Sequence, residues 1–297
     1  MSDFVIETIG LRKSFKGQAA LNGLDLHVPA GSIFGFLGRN GAGKTTTIKL
    51  LMGILKASGG TAHVFGLPVS DAGAALKARH RIGLVTEDKE LYPYMSVAEI
   101  IRFSRPFFPK WRTDLEQRYV RVFELPPNRK IPDLSKGMGS KLMLLLAIAR
   151  GAELLILDEP TDGLDPAALE EVLRELVALS ASEGITIFFS SHQLAEVERI
   201  ADHVAIVDYG SVVVGDSLDE LKARYRRLYV VFENELRAPV DWADGAEYVR
   251  QEGRSISILA SRNVEELVEQ ERSIPGASVE QFPASLKEIF LERVRVH

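Results

Sequence analysis

Apolar and polar residues alternate along the first thirty positions, and short apolar runs separated by amphipathic stretches follow. Between Phe4 and Val28 the alternation has a period of two, and turn signals at Lys16-Gly17 and Asn22-Gly23 predict antiparallel strands at an edge. Short apolar runs further along the chain predict buried strands at Ser32–Leu37, Leu154–Leu157, Ile185–Phe189 and Val204–Val207. Helical spacing between these runs, as in Ala167–Leu179, predicts a parallel sheet covered by helices on both faces.

A helical insertion and a second, smaller domain add to this pattern. From about residue 90 to 150 the spacing of apolar residues is helical, and a helix is predicted from Ser135 to Arg150. Further on, short strand candidates alternate with short helices, and the last helix opens with a Ser285-x-x-Glu288 capping box. We therefore divide the chain into a domain of residues 1–215 and a C-terminal α+β accessory or regulatory domain of residues 216–297.

Composition excludes several classes of protein. The 297 residues carry a net charge of −5, which argues against electrostatic binding of nucleic acid. The longest apolar run, Leu142–Ala149, is far shorter than the roughly 20 residues of a membrane-spanning helix, and the first residues lack a secretion signal. The chain contains no cysteine, which excludes disulfides and thiolate zinc sites. We therefore expect a cytoplasmic protein.

A glycine-rich segment between a predicted strand and a predicted helix offers the first candidate chemistry. The pattern G-x-x-x-x-G-K-[ST] is filled by Gly38, Arg39, Asn40, Gly41, Ala42, Gly43, Lys44, Thr45 and Thr46. Glycines allow the backbone to wrap phosphates, and the N–H groups of the loop and of the helix start attract anions. Lys44 is expected to reach the β- and γ-phosphates, and Thr45 is expected to give its hydroxyl to Mg²⁺. A glycine-rich turn without a ligand is the alternative.

Two carboxylates follow the apolar run Leu154–Leu157. Because ligands of open parallel sheets bind at the carboxyl ends of the strands, we expect Asp158 and Glu159 to lie beside the glycine-rich loop. Asp158 suits Mg²⁺, usually through a water, and Glu159 is then available to polarise an attacking water. The alternative is a pair of solvated turn residues before Pro160.

In order and context these motifs resemble the ATP-binding cassette (ABC) ATPases, over about residues 4–215. The resemblance implies an α/β fold, a P-loop NTPase core with an antiparallel β subdomain and a helical insertion, that binds and hydrolyses ATP. It assigns Phe15 to stacking on adenine, although an aromatic residue on a strand is often a core residue. It also identifies Leu134–Met138 as the signature segment, in which Ser135 and Gly137 contact the γ-phosphate bound to the opposite subunit. Ser135 is equally placed to cap a helix.

The signature segment departs at two positions from the family's usual Leu-Ser-Gly-Gly-Gln. Lys136 replaces the first glycine and Met138 replaces the glutamine. This spelling is similar to that of a bacterial export-type branch of the family. The added charge of Lys136 either helps to hold a γ-phosphate or alters closure of a dimer, and the sequence leaves both open.

Three more residues take candidate roles from the resemblance. Glu87 stands where the family has a glutamine that senses Mg²⁺ and links the ATP site to the membrane subunit; the alternative is an exposed loop glutamate. Asp165 matches a loop that crosses the dimer interface, and before Pro166 it is also an ordinary helix cap. His192 matches the switch histidine, which contacts the γ-phosphate and keeps the water and Glu159 aligned; the alternative is a surface histidine.

The resemblance implies the ATP-hydrolysing subunit of an export-type transporter, with Lys44, Glu159 and His192 as its catalytic residues. A homodimer, or a heterodimer with another ABC ATPase, would close around ATP and Mg²⁺. The chain would bind a separate transmembrane permease and would therefore be peripheral on the inner face of the membrane. Aromatic residues of the helical insertion are expected to receive a short helix of that permease: Tyr92, Tyr94, Phe103, Phe107, Phe108 and Trp111. The alternatives are an ATP-binding regulatory module with little turnover and a soluble ABC protein acting on ribosomes or DNA.

Overall fold

A computed structural model of the protein describes residues 4–86, 91–233, 245–272 and 276–294. Contacts between Cα atoms divide the chain into two compact units, Met1–Gly215 and Asp216–His297. Each unit is described by itself below. No helix among the described residues is both long and apolar enough to cross a bilayer.

The strands alternate with helices along most of the chain. The strands are β1 (Phe4–Phe15), β2 (Gln18–Pro29), β3 (Ile33–Gly38), β4 (Gly59–Val64), β5 (Leu67–Pro68), β6 (Ile82–Val85), β7 (Leu154–Asp158), β8 (Thr186–Ser191), β9 (His203–Asp208), β10 (Ser211–Ser217), β11 (Arg226–Phe232), β12 (Ala246–Glu252), β13 (Ser255–Ala260) and β14 (Ala277–Pro283). The helices are α1 (Lys44–Leu51), α2 (Ala72–Arg79), α3 (Val97–Ser104), α4 (Thr113–Val122), α5 (Lys136–Ala149), α6 (Pro166–Glu183), α7 (Leu194–Ile200), α8 (Leu218–Arg224), α9 (Val264–Arg272) and α10 (Leu286–Arg293).

An antiparallel sheet in the order β2-β1-β4-β5 contains the N-terminal strands. The turn predicted at Lys16-Gly17 joins β1 to β2. The turn predicted at Asn22-Gly23 is wrong, because both residues lie inside β2. Leu11 pairs with Leu24 and Arg12 pairs with Asn22, so Gly23, with a φ of 83°, is the extra residue of a β-bulge. The glycine absorbs a shift in register there and does not reverse the chain.

A second sheet, in the order β10-β9-β3-β8-β7-β6, forms the centre of the first unit. Its strands β9, β3, β8, β7 and β6 are parallel, as the alternation of strands and helices predicts. All residues of β3, β7 and β8 are buried. Strand β8 continues through Ser190 and Ser191, beyond its predicted end, because Ser190 pairs with Asp158 of β7. Hydropathy alone does not reveal a strand that ends in buried polar residues.

One hydrophobic core joins the two sheets of the first unit. Apolar residues of β1, β2, β3, β8 and α1 pack in a single cluster. Within it the Phe188 ring lies 5.8 Å from that of Phe34 and 5.1 Å from that of Phe36. This shared core fixes the antiparallel sheet against the parallel sheet, with α1 and the loop before it next to both.

The helical insertion contains α3, α4 and α5. Ser96 caps α3 in a capping box with Glu99, and Ser135 caps α5 by accepting a hydrogen bond from the Met138 N–H. The two helices α4 and α5 pack on each other, and α4 contributes the fully buried Tyr119. The predicted helix from Ser135 to Arg150 is therefore present with its predicted cap.

The second unit contains an antiparallel sheet in the order β12-β13-β11-β14, with α8, α9 and α10. Its separate core includes Leu228, Ile256, Ile258 and Leu267. The predicted capping box of Ser285 starts α10. The sequence pattern misses β12, because this edge strand consists mainly of polar and half-exposed residues.

Candidate nucleotide-binding site

The glycine-rich loop between β3 and α1 depends on glycine at its tightest positions. Gly41 and Gly43 have φ angles of 84° and 111°, which side chains rarely allow. A Cβ at Gly43 would lie 2.6 Å from Leu21 Cδ2, and a Cβ at Gly38 would lie 2.6 Å from the Val207 carbonyl oxygen. The loop therefore holds its backbone against the surrounding strands and directs the first N–H groups of α1 outward, where they can bind an anion.

A pocket of about 490 Å³ opens at this loop. It is lined by Ala20, Arg39, Asn40, Gly41, Gly43, Lys44, Thr45, Thr46, Glu159, Asp162 and His192. Most of the predicted site residues thus meet at one place. The loop residues and the residues at the ends of β7 and β8 converge because the carboxyl ends of parallel strands lie at the same edge of the sheet.

Lys44 lies at the floor of the pocket with only 7% of its surface exposed. Its Nζ donates a hydrogen bond to the Gly38 carbonyl oxygen at 2.7 Å and lies 3.3 Å from Glu159 Oε1. Burial of a cation is unfavourable unless acceptors surround it. The two acceptors therefore provide polar partners for the buried ammonium group and hold it against the loop.

Glu159 connects Lys44 to His192. The second carboxylate oxygen, Oε2, lies 2.9 Å from Nδ1 of His192 and accepts a hydrogen bond from the His192 N–H at 3.3 Å. The Glu159 side chain is buried, while that of His192 is half exposed. An ammonium group, a carboxylate and an imidazole ring therefore lie in one continuous series of contacts beside the pocket.

Asp158 precedes this contact and is almost completely buried. The Ser190 hydroxyl donates a hydrogen bond to Asp158 Oδ1 at 2.5 Å and accepts one from the Glu159 N–H at 3.1 Å. One serine therefore orients both acidic residues. Asp158 itself is not among the described residues that line the pocket.

A buried contact behind Glu159 was missed by sequence reasoning. Thr161 Oγ1 donates a hydrogen bond to Glu196 Oε2 at 2.5 Å, and both residues are buried. Burial raises the pKa of Glu196, and the negative charge of Glu159 adds to this rise. The other oxygen, Oε1, has no hydrogen-bond partner among the described residues. No local pattern around Glu196 marks it in the sequence, because its partner lies far away in the chain.

The remaining predicted residues lie away from the pocket lining. Phe15 is 45% exposed at the end of β1, with the Lys13 ammonium group 4.9 Å from its ring centre. Ser135 and Gly137 lie at the start of α5, and Asp165 caps α6 through hydrogen bonds from the Ala167 and Ala168 N–H groups.

Glu87 lies outside the described residues. Sequence reasoning, in turn, did not single out Ala20, Arg39 and Asp162, which line the pocket. Arg39 lies inside the glycine-rich motif, so its position in the sequence could have identified it as a residue of the pocket.

The six aromatic residues of the helical insertion divide into two groups. Tyr94, Tyr92, Phe103 and Phe107 are exposed, and their rings follow one another at 5.7, 5.6 and 5.3 Å. Phe108 and Trp111 are half-buried: the Arg150 guanidinium covers the Phe108 ring, and the Trp111 indole N–H donates a hydrogen bond to Glu116. We call the first four residues the exposed aromatic row.

The fold and the pocket define a P-loop ATPase, and comparison with known proteins identifies its family. Residues 21–162 match the family model described as "ABC transporter". The chain is 35% identical over 231 residues to the bacitracin transport ATP-binding protein BcrA of Bacillus licheniformis, covering 77% of this chain and 74% of that protein. It is 36% identical over 211 residues to the Nod factor export ATP-binding protein I of Cupriavidus pinatubonensis, covering 69% of this chain and 64% of that protein.

Solved structures of ATP-binding cassettes have the same fold as this chain. The cbiO1 structure from Clostridium perfringens, part of an ABC transporter complex, shares 27% identity with a TM-score of 0.66 over 75% of this chain and 92% of that chain. The ATP-binding cassette MJ0796, described as a dimeric post-hydrolysis state bound to ADP and Pi, has the same fold at 20% identity, with a TM-score of 0.65 over 72% of this chain and 98% of that chain. The chain belongs to the ABC transporter ATP-binding proteins. It is a nucleotide-binding ATPase subunit of an ABC transporter.

Proposed function

We propose that the pocket at the glycine-rich loop hydrolyses ATP with Lys44, Glu159 and His192 as its catalytic residues. The observation that carries this proposal is the continuous contact of Lys44, Glu159 and His192 beside a loop shaped for phosphates. Asn40, Gly41, Gly43 and Thr46 surround the phosphates in this proposal, with Gly38 below them.

The proposed division of labour follows from charge and position. Lys44 neutralises negative charge that develops on the β- and γ-phosphates, which favours the transition state. Glu159 accepts a hydrogen bond from the attacking water, and His192 holds that carboxylate in place through Nδ1. Phosphoryl transfer needs little covalent participation by the protein, so orientation of these groups accounts for most of the proposed catalysis.

The residues next to the loop fit Mg²⁺ as the metal cofactor. The donor set contains the Asp158 carboxylate and the Thr45 hydroxyl, and hard cations of this size prefer such oxygens together with phosphate and water. No group of three or more histidine or acidic side chains that could hold a metal ion occurs among the described residues. When bound, Mg²⁺ would neutralise charge on the phosphates. Glu87 remains a proposed metal ligand on the basis of the resemblance alone.

We also propose that two cassettes close around ATP, either as a homodimer or as a heterodimer. Ser135 and Gly137 would then contact the γ-phosphate of the opposite subunit, and Asp165 would lie at the interface. The position of Ser135 at the start of a fourteen-residue helix supports this assignment, because helix starts favour anions. Phe15, exposed at the end of β1, is available to stack on adenine.

The proposed membrane partner is a separate permease, which would make the chain peripheral on the inner face of the membrane. The exposed aromatic row supports this proposal, since exposed aromatic side chains are common anchors for a docked helix. Export is the proposed direction, because one of the similar proteins is named as an export ATP-binding protein.

The test compares ATP hydrolysis by the intact chain and by Glu159→Gln, with the oligomeric state measured by light scattering with and without ATP. We expect Glu159→Gln to lower kcat at least about 100-fold, to retain ATP binding and to form an ATP-dependent dimer. Glu170→Gln, which alters an exposed carboxylate on α6, is the matched control and should keep the wild-type rate. ATP binding without hydrolysis by the wild type would favour the regulatory module instead.

A further inference from the structure

A buried hydrogen bond joins the turn after β7, residues 159–165, to the first turn of α7. Thr161 Oγ1 donates this bond to Glu196 Oε2 at 2.5 Å, and both side chains are buried. Thr161 follows Glu159 closely in the chain, and Glu196 follows His192. Neither Thr161 nor Glu196 is among the described residues that line the pocket. The bond therefore ties together, outside the pocket lining, the two segments that carry the proposed catalytic pair.

The backbone of Glu159 needs to be held from both sides. Its φ of 48° lies in the left-handed region, which is unfavourable for a residue with a side chain and persists only where neighbouring contacts fix it. On the N-terminal side, the Glu159 N–H donates a hydrogen bond to Ser190 Oγ at 3.1 Å. On the C-terminal side, Pro160 has no N–H and no polar side chain. Thr161 is therefore the first residue after Glu159 whose side chain can hold this backbone by a hydrogen bond.

The partner of Thr161 belongs to a helix that is packed firmly on the central sheet. Val197, next to Glu196, is fully buried, and a Cβ at Gly35 of β3 would overlap its side chain. Just after α7, Asp202 Oδ2 accepts a hydrogen bond from the Ile33 N–H at 2.8 Å. Strand β3 leads into the glycine-rich loop. Glu196 therefore extends from a helix that is fixed to the same strand as the phosphate-binding loop.

The far end of the turn after β7 is held separately, by α5. Lys136 Nζ lies 2.9 Å from Asp162 Oδ2, and a Cβ at Gly137 would lie 3.6 Å from Leu164 Cδ2. The side chains of Lys136 and Asp162 are 61% and 45% exposed, so this ion pair is open to solvent and is weakened by salt. The buried hydrogen bond of Thr161 is therefore the firmer contact, and it lies closer to Glu159 in the chain.

Stability alone does not account for a carboxyl group at position 196. Its Oε1 has no hydrogen-bond partner among the described residues, and burial of an unpaired polar atom is unfavourable. Burial raises the pKa of Glu196, and the charges of Glu159 and His192 both act on this carboxyl. The benefit of the carboxyl therefore lies in where it holds Thr161.

We propose that Glu196 is a positioning residue for ATP hydrolysis: through Thr161 it holds the turn after β7 in place. The Glu159 carboxylate then stays in contact with both Lys44 and His192. This inference rests on the proposed function of the pocket. Without the hydrogen bond, Glu159 would be released from its left-handed conformation, and its carboxylate would move away from the attacking water. The contact therefore acts on the rate of the reaction and not on the binding of ATP.

The test measures kcat for ATP hydrolysis by the intact chain, together with the Kd of Mg-AMP-PNP, a non-hydrolysable ATP analogue, by calorimetry. Thr161→Val replaces the hydroxyl by a methyl group of similar size. We expect it to lower kcat about tenfold and to keep Kd within about twofold, because only the orientation of Glu159 changes. Thr161→Ser keeps the donor and should stay within about twofold of the wild-type kcat. Should Thr161→Val fail to fold, Thr161→Ala takes its place in each comparison.

The same assay tests the contact from the Glu196 side. Glu196→Gln keeps an acceptor oxygen and should keep kcat within about threefold of the wild type. Glu196→Ala removes the acceptor and should lower kcat about as much as Thr161→Val does. The double variant Thr161→Val/Glu196→Ala should be no more than about twofold slower than the slower single variant, because both changes remove the same hydrogen bond.

Thr8→Val is the matched control. Thr8 is fully buried, and its Oγ1 donates a hydrogen bond to the Leu24 carbonyl oxygen at 2.8 Å in the antiparallel sheet. In urea denaturation Thr8→Val should be destabilised like Thr161→Val, because each loses one buried hydrogen bond, but it should keep the wild-type kcat.

Three results overturn the proposal: a wild-type kcat in Thr161→Val, an equally slow Thr161→Ser, or an equal fall of kcat in Thr8→Val. If Glu159→Gln keeps the wild-type kcat, the proposed function of the pocket is itself wrong. The variant of Glu159 thus separates failure of the proposed function from failure of this inference.

Discussion

Glu159 occupies a backbone conformation that few residues other than glycine adopt. Its φ of 48° lies in the left-handed region, which costs about 1 to 3 kcal/mol for an ordinary side chain. The surrounding contacts hold it there, since Ser190 accepts its N–H and Lys44 and His192 contact its carboxylate. Strain of this kind is common where a side chain must point at a substrate, and it agrees with the proposed catalytic role.

The buried carboxyl of Glu196 gives a pH prediction at the same scale. Burial is the main cause of its raised pKa; Glu159 adds to the rise, while the hydrogen bond from Thr161 and the charges of His192 and Arg199 oppose it. The folded chain therefore holds this proton more tightly than the unfolded chain, whose glutamate has a pKa near 4.5. The stabilisation is complete below that pH and is lost as the pH rises through the folded pKa.

We therefore expect the free energy of unfolding of the wild type to fall, relative to Glu196→Gln, as the pH rises from 4.5 toward 8. Urea denaturation of both proteins across this range measures the difference. Glu170→Gln is the control. The hydrogen bond from Arg199 lowers the pKa of Glu170, so the difference in the free energy of unfolding between this variant and the wild type should stay constant over the same pH range. Parallel curves for the wild type and Glu196→Gln would contradict the prediction.

At the scale of elements, side-chain caps mark where several helices of the first unit begin. Ser96, Ser135 and Asp165 each accept hydrogen bonds from the first N–H groups of α3, α5 and α6. Two of these caps, Ser135 and Asp165, are also residues with proposed roles at a dimer interface. A cap places its side-chain oxygen at a fixed point at the end of a helix. The same residue can therefore stabilise the helix and also contact a partner subunit.

Asp165 allows these two roles to be separated. Asp165→Ala removes the acceptor of two N–H groups of α6, so we expect the free energy of unfolding to fall by about 1 kcal/mol. Asparagine is an equally good cap, and Asp165→Asn should therefore keep most of the stability. Urea denaturation measures both variants. Equal destabilisation by the two substitutions would show that the cap is not the source of the effect.

At the scale of the whole molecule, the chain contains two units with separate hydrophobic cores. The described residues that line the nucleotide pocket all belong to the first unit. In the second unit, Arg227 forms an ion pair with Glu288 of α10. Burial alone would raise the pKa of Glu288, but hydrogen bonds from Ser285 and the charge of Arg227 lower it below its ordinary value. Each unit therefore has its own sources of stability, and we propose an accessory or regulatory role for the second.

Ligand-dependent unfolding tests this separation. Ile258→Ala removes buried atoms from the second core and is expected to destabilise that unit by about 2 to 5 kcal/mol. It should leave unchanged the rise in melting temperature that Mg-AMP-PNP causes in the first unit, because a ligand stabilises only the unit that binds it. Ile156→Ala, in the first core, is the matched control and should lower the ligand-dependent transition. A single transition that both substitutions shift equally would contradict the prediction.

Local patterns predicted several elements of the fold. Alternation predicts the first hairpin, apolar runs predict β3, β7, β8 and β9, and hydroxyl residues before helices predict the caps of α5 and α10. Each of these signals lies within a few consecutive residues, where backbone sterics and burial act directly. The same signals failed at Gly23, where a glycine makes a bulge, and at β12, where an edge strand is too polar to recognise.

The sequence by itself determined the glycine-rich loop, the acidic end of β7 and the family that both indicate, because each is a contiguous motif. Tertiary structure alone decided the pairs that join distant segments. Asp158 and Ser190 are 32 residues apart, Thr161 and Glu196 are 35 apart, and Lys136 and Asp162 are 26 apart. Their partners are set by the order of strands in the sheet and by the packing of α5 on the turn after β7. The physical reason is that charge pairing and burial act through space, so they depend on which segments the fold brings together.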